Sequence, residues 1–464
     1  MQDSPRACGR PGRPALDWLP APDREEDAVD YRRMPIEAES PEQFGYDRIR
    51  SNLAESSVAD TPLRDLGVEL DDLVLMYGDH LGRPGLRAAI AAGGAGLGPA
   101  DVLVTPGAVA ALFIVHTTLL GPGDELVVIR PNYATNLETP RAIGAAVRHL
   151  DLRYEDGWAV DPDRLARLMT PRTKLVSLTN PHNPTGAVMP EAVLRRIVDL
   201  VEAHPIARLL VDETYREMTF GGPLPLAATL SERAIGVSSL SKADGLPGIR
   251  MGWLMTRDAG LLERFLAAKE QILITNSVVD EAIAEAALVR RPERLPGILT
   301  GIAAGLDTVR GWLADQDLFE WVEPRGGVVG FARFQTDVEV DLDAFYRILL
   351  ERHGTIVGPG HWFDQPRRYF RLGYGWPTAN ELEQGLAALL ASAVEAWDGP
   401  PPRPVRRVGA ALGNALLEMD RQIFRDIPRV EEMVRTGSET VGLSGDGGLV
   451  VRLPTSDADP DDAE

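Results

Sequence analysis

From about residue 100 onward, short apolar runs alternate with stretches of helical spacing. The runs at 102–105, 126–129, 174–179, 209–212, 235–238 and 252–255 read as buried strands. Helical patterns separate several of them, as over 190–202. This alternation predicts a three-layer α/β/α domain around a mostly parallel sheet. The pattern changes after about 300. A helix over 302–313, strands at 319–322 and 327–331, a helix over 342–352 and a strand at 369–373 predict a smaller α+β domain. The expected organisation is therefore a large domain over 76–299 and a small domain built from 46–75 and 300–398.

The flanks differ. Residues 1–45 are rich in Pro, Arg, Asp and Glu with little periodicity, and read as a poorly ordered arm that could wrap the body. Residues 399–464 form a C-terminal appendage that opens on Pro400-Pro401-Pro402-Arg403-Pro404. A helix near 409–425 and a strand at 448–453 are expected in it, before the acidic tail 456–464.

With 464 residues, 44% of them hydrophobic, two packed domains are within reach. A formal net charge of −21 argues against nonspecific binding to nucleic acid or anionic membranes. The best apolar stretch, 108–120, is broken by His116, Thr117 and Thr118, so no membrane span is expected. Cys8 is the one cysteine, which excludes an intrachain disulfide. No apolar segment follows Arg6 and Arg10, so a signal peptide is not expected and the cytoplasm is the expected compartment.

The positive charges carry more information. Lys plus Arg number 48, yet only Lys174, Lys242 and Lys269 are lysines. Arginine supplies a cation but cannot lose a proton and attack a carbonyl. Lys242 lies in Ser239-Leu240-Ser241-Lys242-Ala243-Asp244-Gly245, with Arg250 eight residues on. It is a candidate Schiff-base lysine. Ser-x-x-Lys also occurs in serine acyl-transfer enzymes, but their Lys-Thr-Gly and Ser-Asp-Asn tripeptides are missing here.

Ligands of open α/β sheets bind beyond the carboxyl ends of the strands, where further polar signals fall. Thr105-Pro106-Gly107-Ala108 turns from strand to helix and could offer backbone N–H groups to a phosphate. Asn180-Pro181-His182-Asn183-Pro184-Thr185-Gly186 makes a rigid loop with two X-Pro bonds, either of which could be cis. Asp212-Glu213-Thr214-Tyr215 ends an apolar run, so Asp212 needs a partner there; a pyridinium N–H or a helix N-terminus would serve.

In this order, the motifs resemble those of the fold-type I pyridoxal-phosphate enzymes, in particular the class I/II aminotransferase family, over about 45–395. Within that family, the stretch from Ser241 to Trp253 and Pro324-Arg325-Gly326-Gly327-Val328 also resemble the capreomycidine-synthase type. The resemblance implies pyridoxal 5′-phosphate as cofactor and no metal. It implies that Lys242 holds the cofactor as a Schiff base and shuttles a proton. Asp212 would pair with the ring nitrogen, while Tyr215 and Asn183 bond the ring hydroxyl. Tyr133 would stack on the ring. Gly107, Ala108 and Val109, with Ser239, Ser241 and Arg250, would hold the phosphate. Tyr77 would reach the phosphate of a neighbouring subunit, which implies a homodimer with shared active sites.

Arg371 would fork the substrate α-carboxylate, and Asn52 belongs to the segment that closes over the substrate. Glu55 in that segment is read as a solvated glutamate, with a cationic side chain as its alternative partner. His80, Asp244, His361 and Trp362 are unranked candidates for the pocket wall. The reaction so implied moves the amino group of an L-amino acid to a 2-oxo acid by a ping-pong aldimine/ketimine route. A lyase or cyclase reaction on the same cofactor uses the same residues. A non-catalytic regulator would need a basic helix-turn-helix arm, which the proline-rich N-terminus does not offer.

Overall fold

The computed structural model describes residues 29–397 and two short strands at 441–443 and 449–451. Strand β1 (Ser51–Asn52) precedes the large domain. The large sheet comprises β2 (Val102–Thr105), β3 (Glu125–Arg130), β4 (Ala146–Asp151), β5 (Thr173–Thr179), β6 (Arg208–Asp212), β7 (Ala234–Ser239) and β8 (Gly252–Met255). Their order is β2-β8-β7-β6-β5-β3-β4, and β8 alone runs antiparallel to its neighbours.

The near-continuous apolar runs have a direct cause. Alternate residues of each strand enter opposite hydrophobic layers, and both faces are covered. In β3, Leu126 and Val128 join one layer while Val127 and Ile129 join the other. Leu210 opposes Leu209 and Val211 in β6 in the same way. The helix Glu191–Ala203 covers one face with Leu194, Ile197, Val198 and Val201, spaced as one stripe of a helix.

The small domain holds β9 (Phe319–Trp321), β10 (Val329–Phe334), β11 (Thr355–Ile356), β12 (Gly358–Pro359) and β13 (Tyr369–Gly373). Four of these form an antiparallel sheet in the order β12-β13-β10-β9, and β11 pairs in parallel with β1. Phe319, Phe334, Phe345 and Phe370 pack beneath the sheet, the first two with ring centroids 4.6 Å apart. The pairing of β1 with β11 and the bond from Leu53 N to Ile356 O tie residues 51–53 to this domain, far away in sequence.

Two expectations change. The helix expected over 302–313 is the end of a helix running Val278–Ala314, so the boundary placed at 300 falls inside one element. Pro292 and Pro296 lie within it, and prolines inside a helix are not expected from sequence. The arm is also not irregular throughout: Pro35–Ala38 and Pro41–Phe44 are helical turns. Ile36 is buried, and Glu39 accepts hydrogen bonds from Trp362 Nε1 at 2.8 Å and His361 Nε2 at 2.8 Å.

The strand expected at 448–453 is present as β15 (Leu449–Val451), paired with β14 (Val441–Leu443). The helix expected near 409–425 lies outside the described residues. Among the described residues no helix is long and apolar enough to cross a membrane.

Candidate active site

Strands β2, β3, β5, β6 and β7 point their carboxyl ends to one edge of the sheet, and the polar motifs follow those ends. At the end of β2, Gly107 adopts φ +79°, a conformation that glycine tolerates and other residues rarely adopt. It opens the helix Gly107–Leu119, whose N-cap Pro106 supplies no capping side chain. The first N–H groups of that helix are therefore available to an anion. A Cβ on Gly107 would sit 2.9 Å from Arg250 Nη2, so the guanidinium lies against this turn. Gly252 allows the closest approach: a Cβ there would meet Gly107 C at 2.4 Å and Ala108 N at 2.5 Å. Val109 is partly exposed on the first turn. Nearby, Ser239 Oγ accepts from Ser241 N at 3.3 Å, and both serines are buried.

Asp212 closes β6 and is buried. Thr214 donates to its Oδ1 twice, from N at 3.1 Å and from Oγ1 at 2.5 Å. Burial still pushes the carboxyl above its ordinary range, although Thr214 and Lys242 act against that shift. Oδ2 is left for a cation. The loops after β3 and β5 are pinned together by His182, which contacts Pro131 O at 2.8 Å through Nε2 and Thr185 Oγ1 at 2.7 Å through Nδ1. Arg130–Pro131, Asn180–Pro181 and Asn183–Pro184 are all cis peptides. Burial drives the His182 imidazole down to about 4, so it is neutral near pH 7.

Lys242 Nζ donates to Ser56 Oγ at 3.0 Å and lies 3.7 Å from Glu55 Oε1. The side chains of Lys242 and Glu55 keep 26% and 22% of their surface, so both remain open to a ligand. Tyr215 donates its hydroxyl to Ser56 O at 2.9 Å. Arg371, on β13, is buried and donates to Asn183 Oδ1 at 3.1 Å and Ala54 O at 2.6 Å. Segment 52–57 is thus the meeting point of the lysine, the tyrosine and the arginine.

Tyr133 donates to Glu37 Oε1 at 3.1 Å, and burial, with Glu37 adding, raises its hydroxyl well above the usual tyrosine range. Asn52 is buried, and its Oδ1 accepts from Ala54 N at 3.1 Å, which braces the same segment. The other two lysines are committed elsewhere: Lys174 Nζ lies 2.8 Å from Asp124, and Lys269 Nζ donates to His80 O at 2.6 Å.

Several expectations resolve differently. Glu55 is not a solvated glutamate but the carboxylate beside Lys242. Asp244 does not line the cleft; it is buried and paired with Arg291. His80 pairs with Glu270, and His361 and Trp362 hold Glu39. Tyr77 is 77% exposed beside exposed Val74, Leu75 and Met76, and no hydrogen bond joins it to the site among the described residues. Ser56 and Glu37 contribute contacts that no sequence pattern flagged, and Thr214, inside the Asp212–Tyr215 motif, braces Asp212, a role the sequence did not show. Among the described residues no cluster of three His, Cys, Asp or Glu side chains could hold a metal.

These features fit a phosphorylated pyridine aldehyde: a helix N-terminus with an arginine against it, a buried carboxylate, and a lysine amine near enough to act on that carboxylate. The model for aminotransferase class I and II matches residues 63–389. Capreomycidine synthase of Streptomyces vinaceus is 36% identical over 325 residues, covering 69% of this chain and 82% of that protein. The arginine–pyruvate transaminase of Pseudomonas aeruginosa is 31% identical over 326 residues, covering 68% and 82%. The crystal structure of a PLP-dependent cyclase, OrfR, superimposes with a TM-score of 0.72 at 30% identity, covering 79% of this chain and 98% of that one. This chain belongs to the class I and II aminotransferase family, with the fold-type I architecture and pyridoxal 5′-phosphate as its cofactor.

Proposed function

We propose that the protein is an aminotransferase that moves the amino group of an L-amino acid to a 2-oxo acid in two half-reactions. The observation that supports chemistry at this site is the proximity of Lys242, after β7, to Asp212 on β6 and, through Glu55, to Arg371 on β13; the likeness to the arginine–pyruvate transaminase favours transamination. When bound, the cofactor supplies the electron sink that lets a Cα–H bond break.

The chain's own groups do the rest. Lys242 would hold the cofactor aldehyde, and its amine would take up and hand on the proton of the substrate Cα. Asp212 would pair with the protonated ring nitrogen, a cation that would relieve the cost of its burial. Tyr215 and Asn183 would bond the ring hydroxyl, and Tyr133 would stack on the ring. The N–H groups of Gly107, Ala108 and Val109 would hold the phosphate, with Ser239, Ser241 and Arg250. Arg371 holds the substrate carboxylate by two parallel N–H bonds. Asn52 shapes the segment that closes over it.

Exposure of Tyr77 within one chain supports its action in a second copy, and hence a homodimer with shared sites. The expected partners are an amino acid and a 2-oxo acid, in the cytoplasm. A second reading, a lyase or cyclase on the same cofactor, is favoured by the likeness to OrfR and to capreomycidine synthase. A panel of L-amino acids with the purified holoenzyme separates the two. Accumulation of the aminated cofactor with a 2-oxo acid supports transamination. Release of ammonia, or a cyclic product without a 2-oxo acid, overturns it in favour of the second reading.

A further inference from the structure

We infer that Glu55, assisted by Glu37, forms a subsite for a cationic side chain, so that the substrate is an amino acid ending in a guanidinium or an ammonium. The inference rests on the roles proposed above for Lys242 and Arg371. Four charged groups meet in the cleft besides Asp212: Lys242, Arg371, Glu55 and Glu37. Glu55 Oε1 lies 3.7 Å from Lys242 Nζ and accepts from Ser56 N at 2.8 Å. Glu37 reaches in from the N-terminal arm and bonds the Tyr133 hydroxyl at 3.1 Å. Both glutamates act on the buried Arg371 guanidinium, whose Nε is buried without a partner.

Charge balance then changes with the chemistry. Burial alone would raise Glu55, but Lys242, the Ser56 N–H and Arg371 together hold it below its ordinary value, so it is ionised. Arg371 is neutralised by the substrate α-carboxylate. Asp212 is neutralised by the ring. Lys242 must be an uncharged amine when it accepts the substrate proton, and at that point it no longer compensates Glu55. A half-buried carboxylate would be left without a cation, which is costly. A guanidinium or ammonium brought by the substrate restores the balance, and a guanidinium can meet a carboxylate with two parallel bonds. A neutral side chain would leave the charge uncompensated, and an acidic one would add repulsion.

The test compares L-arginine with L-citrulline, which keeps the length and shape but replaces the guanidinium by a neutral ureido group. The holoenzyme is used, with kcat/KM for the first half-reaction and the ligand-induced rise in melting temperature as two readouts. L-Lysine and L-norleucine form a second pair that reports on an ammonium. Wild type is expected to prefer the cationic member of at least one pair by roughly tenfold or more, a difference of about 1.4 kcal/mol. Glu55→Gln should bring that ratio toward one, Glu37→Gln should reduce it less, and Glu55→Asp should restore part of it. Equal use of charged and neutral partners by wild type, or a preference that survives both Gln variants, overturns the inference. Neutral amino acids that react while basic ones do not would overturn it alone. No response of the cofactor to any amino acid would overturn the underlying reading as well.

Discussion

Asp244 stands two residues after Lys242 and anchors the lysine loop from behind. Its side chain is 2% exposed, and that of its partner Arg291 is 18% exposed. Arg291 Nε donates to Oδ1 at 3.0 Å and Nη2 donates to Oδ2, so the pair is bidentate. The backbone is held as well. Thr61 Oγ1 and Arg294 Nη2 each donate to Asp244 O at 2.9 Å, and Thr61 N donates to Gly245 O at 2.8 Å. Gly245 takes φ +63°, and a Cβ there would meet Ala59 O at 2.3 Å. The loop is thereby locked between segment 58–61 and the long helix.

Asp244→Ala removes the carboxylate and strands a mostly buried guanidinium. Breaking one side of a buried pair costs about 3–5 kcal/mol, and the residual exposure of Arg291 places this case near about 3 kcal/mol. Urea unfolding followed by tryptophan fluorescence reads that cost, with Arg291→Ala and the double variant completing a cycle. The double variant should be less destabilised than the two singles added together, by about 1–3 kcal/mol. A loss under about 1 kcal/mol in Asp244→Ala, or strictly additive singles, would refute the pairing as the anchor of this loop.

Two further outcomes follow from the same geometry. Gly252→Ala places a Cβ against the backbone of the phosphate turn, and overpacking of about 1–3 kcal/mol corresponds to roughly a 5- to 150-fold rise in the cofactor dissociation constant; an unchanged constant by absorbance titration would contradict the close approach. Glu213 is buried, with Oε1 accepting from Ala227 N at 2.7 Å, and burial raises it from 4.5 to about 8. Its folded form keeps a proton that the unfolded chain releases, so this contribution to stability is present below 4.5 and lost as pH rises through about 8. Glu213→Gln should flatten the decline of the urea midpoint across that window, and parallel profiles for variant and wild type would count against it.

The large sheet was legible because its strands are buried on both faces and read as apolar runs. β4 was not, because its sequence Ala-Val-Arg-His-Leu-Asp lies at the sheet edge and buries only Leu150 fully. The first half of the helix Val278–Ala314 was hidden by Pro292, Pro296 and a run of charges. Within the site, Asp212 stood out because it closes the apolar run of β6, where a carboxylate needs a partner, and Lys242 because it is one of only three lysines; Tyr215 and Arg371 were legible only through the family resemblance. Ser56 and Glu37 did not, because a serine in a loop and a glutamate in a charged arm carry no pattern. Glu55 was misjudged for the same reason: only the approach of β7 and β13 to segment 52–57 makes it a neighbour of Lys242 and Arg371.

Lys242 is the residue proposed to hold the cofactor. Reduction of the holoenzyme with borohydride, followed by peptide mass mapping, tests it directly, since the chain has only three lysines. Lys269 is the chemical rival, because burial lowers its amine to about 8, but its Nζ is bonded to His80 O at 2.6 Å. The expected result is the reduced cofactor on the peptide containing Lys242 and on neither of the others, with both label and turnover lost in Lys242→Ala. Label on Lys174 or Lys269, or turnover that survives in Lys242→Ala, would contradict it.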